Sequence, residues 1–157
     1  MLVLVFFLGD DKYMVACEKI REISPMVELK KMPHSPAFFA GFFNYRGQGV
    51  PVIDLRQLVQ NTPCERRLST RIILINYITH DNVPDIFGFI AERVTETVKK
   101  SEEAFIFPPV NFQETPYLSG FVMEDEKMIQ CIDLNVLSRH FDFHPPVTWH
   151  SDDTFCD

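Results

Sequence analysis

Short runs of β-branched and aromatic residues, most of them bounded by turn residues, dominate the chain and predict a mainly β protein. The clearest runs are Val3–Leu8, Tyr13–Ala16, Ile72–Ile78, Ile86–Ile90 and Met128–Ile132. Helical patterns are few and short. Asp54 and Asp133 each stand where the N-cap of a short helix is expected, and Gln57 would complete a capping box with Asp54. The pattern therefore predicts several strands and two short helices.

The chain opens on an almost wholly apolar segment, Met1 to Leu8, which Gly9 ends. No Lys or Arg precedes it, as an export signal would require, and it is too short to span a bilayer. A strand that is buried on both faces is the better interpretation. We therefore expect no direct membrane insertion.

An internal repeat organises the chain. At a shift of 79 residues, Gly41-Phe42 aligns with Gly120-Phe121, Ile53-Asp54-Leu55 with Ile132-Asp133-Leu134, and Leu58 with Leu137. Upstream, at a shift of 74 residues, Glu18-Lys19-Ile20 aligns with Glu92-Arg93-Val94. Two copies, at about 2–59 and 70–140, predict two similar modules of short strands, which suit small β-barrels. The polar segment Gln60–Ser69 between them is expected to be an exposed connector.

Composition and charge narrow the class of protein. A chain of 157 residues with 46% apolar residues fits one domain with a sizeable core. Its net charge of −7 argues against a nucleic-acid partner, because neutralising phosphates requires a basic face.

The four cysteines form no C-x-x-C pair and are interpreted as free thiols, with Cys17 and Cys131 in core strands, although two disulfides remain an alternative. Residues 142–157 are predicted to be an acidic, flexible tail.

No arrangement of residues in the sequence indicates an enzyme. Asp54 and Asp133 could be paired carboxylates for acid–base chemistry, but the N-cap role explains both copies. Gly47-Gln48-Gly49 lacks the lysine and the helix of a phosphate-binding loop and is interpreted as a hairpin turn. We therefore expect no catalytic residue and no cofactor.

A metal site is the main chemical alternative. His140 and His144 are four residues apart, which on a helix would place two ligands on one face. Pro145 and Pro146 interrupt that geometry, so we assign no metal site. A small-ligand- or metal-binding β-barrel sensor nevertheless remains the alternative function.

The stretch from Gly41 to Arg56, G-F-F-N-Y-R-G-Q-G-V-P-V-I-D-L-R, resembles the signature of the CheW family. That signature is an N-x-R-G hairpin followed by a V-P-V-I-D-L strand. The opening L-V-F-F-L-G-D, then Tyr13 and I-R-E-I, is similar as well, so the resemblance covers about residues 2–140. It implies a single domain over residues 1–141, built as two interwoven SH3-like five-stranded β-barrels with short helices.

The resemblance also implies a role. CheW-like proteins are non-catalytic adaptors between the cytoplasmic tips of methyl-accepting chemoreceptors and the regulatory domain of a CheA-type histidine kinase. Such a protein would be cytoplasmic and recruited to membrane receptor clusters through its partners. The resemblance is closest to the WspB type, which serves a surface-sensing pathway that drives a diguanylate cyclase. Tyr45 departs from the more usual Leu and leaves the choice of kinase or receptor open.

By the same resemblance, the kinase-binding residues are Glu22, Asn44, Arg46 and Gly47, and the receptor helix docks in a groove lined by Ile20 and Thr97. The family pairs an acidic residue at the Glu22 position with the arginine at Arg46. The plainer alternatives are an ordinary surface ion pair and, for Ile20, core packing. We favour a docking role for Arg46, because arginine is enriched at interfaces.

Overall fold

The computed structural model describes residues 1–108 and 114–140, and in these residues the backbone forms nine strands and two short α-helices. The strands are β1 (Leu2–Leu8), β2 (Asp11–Ala16), β3 (Ile20–Pro25), β4 (Phe39–Tyr45), β5 (Gln48–Asp54), β6 (Arg71–Ile78), β7 (Pro84–Lys99), β8 (Leu118–Glu124) and β9 (Lys127–Ile132). The helices are α1 (Leu55–Gln60) and α2 (Leu134–His140). Short 3₁₀ turns span Cys17–Lys19 and Glu102–Ala104.

The strands form two five-stranded barrels that share β7. The first barrel has the order β3-β6-β7-β5-β4, and the second has the order β7-β1-β2-β9-β8. The first half of β7, from Pro84 to Ala91, pairs with β6. The second half, from Glu92 to Lys99, pairs with β1. This architecture confirms the expected fold of two interwoven β-barrels.

The two barrels have the same strand order and the same pairing directions. In each, three contacts are antiparallel and one is parallel, namely β5 with β7 in the first barrel and β9 with β2 in the second. Each barrel also combines strands from both halves of the chain. Strands β6 and β7 complete the first barrel, and β1 and β2 complete the second. Neither barrel can therefore form from one half of the chain alone.

Strand β1 contributes to both hydrophobic cores. Val3 and Val5 lie in a small cluster inside the second barrel, whereas Leu4, Phe6 and Leu8 lie in the larger cluster. All five side chains are almost fully buried. Because successive side chains of a strand point to opposite faces, this apolar strand separates the two cores. The prediction of an N-terminal strand buried on both faces is confirmed.

Strand β7 is longer than the sequence predicted. The apolar run ends at Ile90, but the strand continues to Lys99. Its pairing register with β1 shifts between Val5 and Phe7, and Arg93 there has a φ of 43°. An irregularity of this kind bends and twists a strand. The bend redirects β7 from the first barrel into the second.

The two helices begin at their predicted caps. A side-chain oxygen of Asp54 accepts a hydrogen bond of 3.1 Å from the Gln57 N–H. Asp133 accepts one of 3.1 Å from the Val136 N–H. The predicted capping box is not completed, because the Asp54 N–H donates to the Phe38 carbonyl oxygen at 2.7 Å, and the Gln57 amide donates to Asn61 at the end of α1. Among the described residues, no helix is long and apolar enough to cross a membrane.

The repeated glycines mark close backbone approaches. A Cβ added at Gly41 would lie 2.7 Å from the Lys30 carbonyl oxygen, and one added at Gly120 would lie 3.0 Å from the Ile106 carbonyl oxygen. In each barrel the residue that carries this carbonyl oxygen forms an isolated β-bridge with the residue that follows the glycine. These bridges join Lys30 to Phe42 and Ile106 to Phe121. The repeat therefore preserves a point where only glycine lets two backbones meet.

Two sequence expectations about the cysteines and the connector need correction. Cys17 begins a 3₁₀ turn rather than lying in a core strand, whereas Cys131 does lie in β9. Both are free and half-buried, and Cys64 is free and buried. The connector is anchored rather than simply exposed, because the Cys64 N–H donates to both carboxylate oxygens of Asp54, at 3.0 and 3.2 Å.

Candidate functional site

The N-x-R-G segment forms the tight turn between β4 and β5. Tyr45 pairs with Gln48, and the two residues between them, Arg46 and Gly47, have φ values of 51° and 84°. Positive φ at both central residues is typical of a type I′ hairpin turn. The side-chain oxygen of Asn44 accepts a hydrogen bond of 3.0 Å from the Gly47 N–H. Asn44 and Gly47 therefore set the turn that presents Arg46.

Two arginines lie against the Tyr45 ring. The guanidinium carbons of Arg46 and Arg21 are 5.1 and 5.7 Å from the ring centre. Arg21 also donates through Nε to the Tyr45 hydroxyl at 3.4 Å, and through Nη1 to the side-chain oxygen of Asn76 at 3.3 Å. The ring itself is 9% exposed and packs against Phe43. We call Arg21, Tyr45 and Arg46 the arginine–tyrosine cluster.

The expected pair between Glu22 and Arg46 does not form. Within residues 1–108 and 114–140, neither side chain has an ion-pair partner, and Arg21 has none either. Glu22 lies exposed on β3, opposite Leu74 of β6. The structure thus places Asn44, Arg46 and Gly47 together in one turn and places Glu22 on a separate strand.

Arg21 is a member of this surface that the sequence did not predict. Arg21 lies at a register shift between β3 and β6, since Ile20 pairs with Ile75 and Glu22 with Leu74. At this irregularity the Arg21 side chain extends to Tyr45, at the β4–β5 turn. The I-R-E-I segment alone gave no sign of that contact.

The two residues expected in the receptor groove lie in different barrels. Ile20 begins β3, opposite Ile75, and is partly buried against the larger core cluster. Thr97 lies exposed on the second half of β7, opposite Leu4 of β1. A groove shared by Ile20 and Thr97 therefore stays a prediction.

A buried carboxylate joins the two barrels. Glu92, the residue at which β7 changes partners, accepts hydrogen bonds of 2.6 Å from the Gly9 N–H and 2.6 Å from the Glu65 N–H. The Arg56 guanidinium of α1 donates at 3.1 Å to the same Glu92 oxygen, Oε2, that accepts from Glu65. Glu92 thus ties the β1–β2 turn, the connector and α1 to β7. We call Gly9, Arg56, Glu65 and Glu92 the junction network.

Arg56 is in turn held by its own helix. Its Nε donates to the Gln60 side-chain oxygen at 3.2 Å, and the Gln60 amide donates to the Leu8 carbonyl oxygen at 2.7 Å. A polar cavity of about 280 Å³ adjoins this network, lined also by Arg67, Ser69 and Arg93. Because every described contact of Glu92 comes from a hydrogen-bond donor or a cation, the carboxylate is suited to a structural role rather than to proton transfer.

The junction network lowers the pKa of Glu92. Burial alone would raise the pKa of this carboxyl, but hydrogen bonds from the Glu65 and Gly9 N–H groups and the Arg56 charge outweigh burial. A carboxyl with a lowered pKa in the folded state contributes stability above its unfolded pKa of about 4.3, and that stability is lost as the pH falls through the folded value.

We therefore expect Glu92→Gln to be less stable than the unsubstituted protein at pH 7, with a difference that shrinks as the pH falls below about 4.3. Urea unfolding of both proteins between pH 7 and pH 3 measures this. Glu124 also has a lowered pKa, because Lys100 is hydrogen-bonded to it. Both proteins contain Glu124, so its contribution to the pH dependence cancels when they are compared. A difference that stays constant over this range would contradict the assignment of Glu92 as an ionised group.

The described residues hold no group of three or more His, Cys, Asp or Glu side chains that could bind a metal. The pair considered for a metal, His140 and His144, lies outside this description. His140 ends α2 but its side chain is not described, and His144 belongs to residues 141–157. The predicted acidic tail lies in the same undescribed segment.

Three comparisons place this architecture among known proteins. A family model described as "CheW-like domain" matches residues 2–142. The "Chemotaxis protein CheW" of Rhizobium meliloti is 35% identical over 134 residues, covering 84% of this chain and 83% of the relative. The "Probable chemotaxis protein CheW" of Rhizobium etli is 26% identical over 137 residues, covering 85% and 84%. The solved "scaffolding protein TtCheW" of Thermoanaerobacter tengcongensis has a TM-score of 0.74 at 28% identity, covering 87% of this chain and 86% of that one.

Proposed function

This chain belongs to the CheW-like domain family, and we propose that it is a non-enzymatic adaptor coupling a methyl-accepting chemoreceptor to a CheA-type histidine kinase. The observation that carries the proposal is the β4–β5 turn, which presents Arg46 at the surface without an ion-pair partner among the described residues. A rigid turn that displays an unpaired arginine suits protein recognition. The names of the relatives, chemotaxis proteins and a scaffolding protein, support the same class.

The proposed kinase-binding surface is the β4–β5 turn with the neighbouring strand β3. Arg46 supplies the charge, while Asn44 and Gly47 fix the backbone that carries it. Glu22 contributes a second exposed charge from β3. Because Glu22 and Arg46 are not paired with each other, each is available to an opposite charge on the regulatory domain of the kinase.

The proposed receptor site is a groove that uses Ile20 and Thr97. An apolar groove that accepts one face of an amphipathic helix is a common recognition mode. Ile20 supplies apolar surface at the start of β3, and Thr97 supplies an exposed position on β7. Since β7 belongs to both barrels, a helix docked there would contact the strand that connects them.

We expect Arg46→Glu to weaken binding of the kinase regulatory domain at least tenfold, because reversing an interface charge turns attraction into repulsion. The fold should persist, since the Arg46 side chain is exposed. Isothermal titration calorimetry with the cognate regulatory domain measures the affinity. Arg139→Glu, a charge reversal at an exposed position of α2, is the matched control and should bind normally. Equal affinities for the two variants would refute this placement of the kinase site.

The cellular setting belongs to the same proposal. We place the protein in the cytoplasm, recruited to membrane receptor clusters through its partners, and in a Wsp-type surface-sensing pathway. That finer assignment rests on the resemblance of three segments, 43–47, 67–71 and 91–97. Affinity purification from the native host, with identification of the co-purifying proteins, tests it. Recovery of a flagellar-motility receptor and kinase instead would replace the Wsp-type assignment.

A further inference from the structure

We infer that the arginine–tyrosine cluster is a clasp for carboxylate side chains on the kinase, and that Tyr45 is the residue that positions both arginines. The inference rests on the proposed function, because the clasp adjoins the turn assigned to kinase binding. It adds Arg21 as a second cationic contact beside Arg46 and gives Tyr45 a specificity-determining role.

The Tyr45 ring joins two separate parts of the first barrel. Arg46 belongs to the β4–β5 turn and Arg21 to β3, two parts of the first barrel that are not neighbours in its strand order. Tyr45 holds both, because each guanidinium carbon lies within the roughly 6 Å at which a cation is attracted to an aromatic face. The hydroxyl of Tyr45 and the side chain of Asn76 fix the Arg21 guanidinium further. The ring is nearly buried and therefore serves as a fixed support.

The cluster concentrates positive charge at one place. Two guanidinium groups meet on one ring, and neither has a carboxylate partner in the part of the chain that the structure describes. This local excess of positive charge occurs in a protein whose net charge is −7. Guanidinium groups present paired N–H donors that match carboxylates, and pre-ordering them reduces the entropy lost on binding. An acidic loop is therefore the complementary partner surface.

A cleft of about 470 Å³ opens beside the cluster, lined by Arg21, Gln48, Asn76 and Asp85 among others. Lys19 and Glu18 also line this cleft, and the Gln48 amide donates a hydrogen bond of 3.3 Å to Asp85. Arg21 is therefore the cation that the cluster itself presents to the cleft, with Lys19 as a second cation nearby. The cleft provides room for the acidic side chain next to the Arg21 guanidinium.

Tyr45 accounts for a specificity that leucine cannot supply. Leucine, the more usual residue here in the resembled family, offers neither an aromatic face nor a hydroxyl. With leucine the two arginines would regain rotamer freedom and would bind carboxylates with a greater loss of entropy. A chain with Tyr45 should therefore favour a kinase that carries an acidic loop opposite the cluster.

The test is titration calorimetry of the cognate kinase regulatory domain against four variants, at low and at physiological salt. We expect Arg21→Gln and Tyr45→Leu each to weaken binding about five- to tenfold, with a smaller salt dependence than the unsubstituted protein. Tyr45→Phe keeps the aromatic face and should remain within about threefold. Arg139→Gln is the matched control and should not change the affinity. Thermal unfolding of each variant establishes that it is folded.

The outcomes separate this inference from the proposed function. If the unsubstituted protein does not bind the regulatory domain, the proposed function fails and the clasp fails with it. If it binds and Arg21→Gln binds equally well, only the clasp is overturned, whether or not Tyr45→Leu folds. If Arg21→Gln instead weakens binding of the receptor tip and leaves kinase affinity unchanged, the clasp belongs to the receptor and the inference is wrong.

Discussion

Replacing Glu92 with alanine is expected to lower the free energy of unfolding by about 3–5 kcal/mol, the cost typical of removing one partner from a buried ion pair. The Glu92 side chain is only 9% exposed, and that of Arg56 is 18% exposed. With Glu92 absent, the Arg56 charge stays largely removed from water without its counter-ion. The N–H groups of Gly9 and Glu65 also lose their acceptors, and each unsatisfied group adds to the cost.

The same substitution loosens the contact between the barrels. Glu92 is the point at which β7 leaves β6 and begins to pair with β1. Its partners come from the β1–β2 turn, from α1 and from the connector. Losing these bonds should therefore increase amide exchange in all three segments and not in β7 alone.

Chemical unfolding followed by circular dichroism measures the loss of stability. Glu96→Ala is the matched control, since Glu96 is an exposed glutamate on the same strand without an ion pair in the described structure. Surface substitutions of that kind usually change stability by about 0.5 kcal/mol or less. If Glu92→Ala and Glu96→Ala prove equally mild, the junction network does not stabilise the fold and its assignment is wrong.

Glu92 also shows where sequence reasoning reached its limit. The repeat aligns this residue with Glu18, yet Glu18 lies in a 3₁₀ turn and is exposed. What buries Glu92 is the packing of Gly9, Arg56 and Glu65 around it, from positions 83, 36 and 27 residues away in the chain. No local pattern reports contacts of that range.

Local features were predictable where the physical cause is local. The apolar strands β1, β2, β6 and β9 and the caps at Asp54 and Asp133 follow from side-chain periodicity and from hydrogen bonds within a few residues. The second half of β7 was missed because its residues are mostly polar and their pairing with β1 spans most of the chain. Tertiary pairing decides such a strand more than its own propensity does.

The residues of the candidate interaction surface also divide into those that a local pattern predicts and those that it does not. Asn44, Arg46 and Gly47 were found because a hairpin turn is a local structure with its own residue pattern. Arg21 reaches the same surface through Tyr45, 24 residues away in the chain, and no turn pattern indicates that contact. The expected pair of Glu22 with Arg46 does not form, for a related reason: Glu22 lies on β3 and Arg46 in the β4–β5 turn, and a contact between two such segments depends on tertiary packing that no local pattern indicates.

Gly41→Ala is the second large effect, an expected loss of about 3 kcal/mol of unfolding free energy from backbone strain and steric overlap together. Gly41 has a φ of 138°, which a residue with a side chain rarely adopts. Its added Cβ would lie 2.7 Å from the Lys30 carbonyl oxygen and 3.0 Å from the Leu29 Cβ. Because Lys30 and Phe42 are bridged by hydrogen bonds in both directions, that backbone cannot move away without breaking them.

Substitutions at two other glycines distinguish the cost of backbone strain from the cost of steric overlap. At Gly47, with a φ of 84°, an added Cβ would meet nothing within 4 Å, so Gly47→Ala should cost only the backbone strain, about 1 kcal/mol. Gly120 repeats the close approach of Gly41, at 3.0 Å from the Ile106 carbonyl oxygen, so Gly120→Ala should fall between the two. Urea unfolding of the three variants gives their order directly. Should Gly41→Ala cost no more than Gly47→Ala, the close contact with Lys30 would not be the reason that glycine occupies this position.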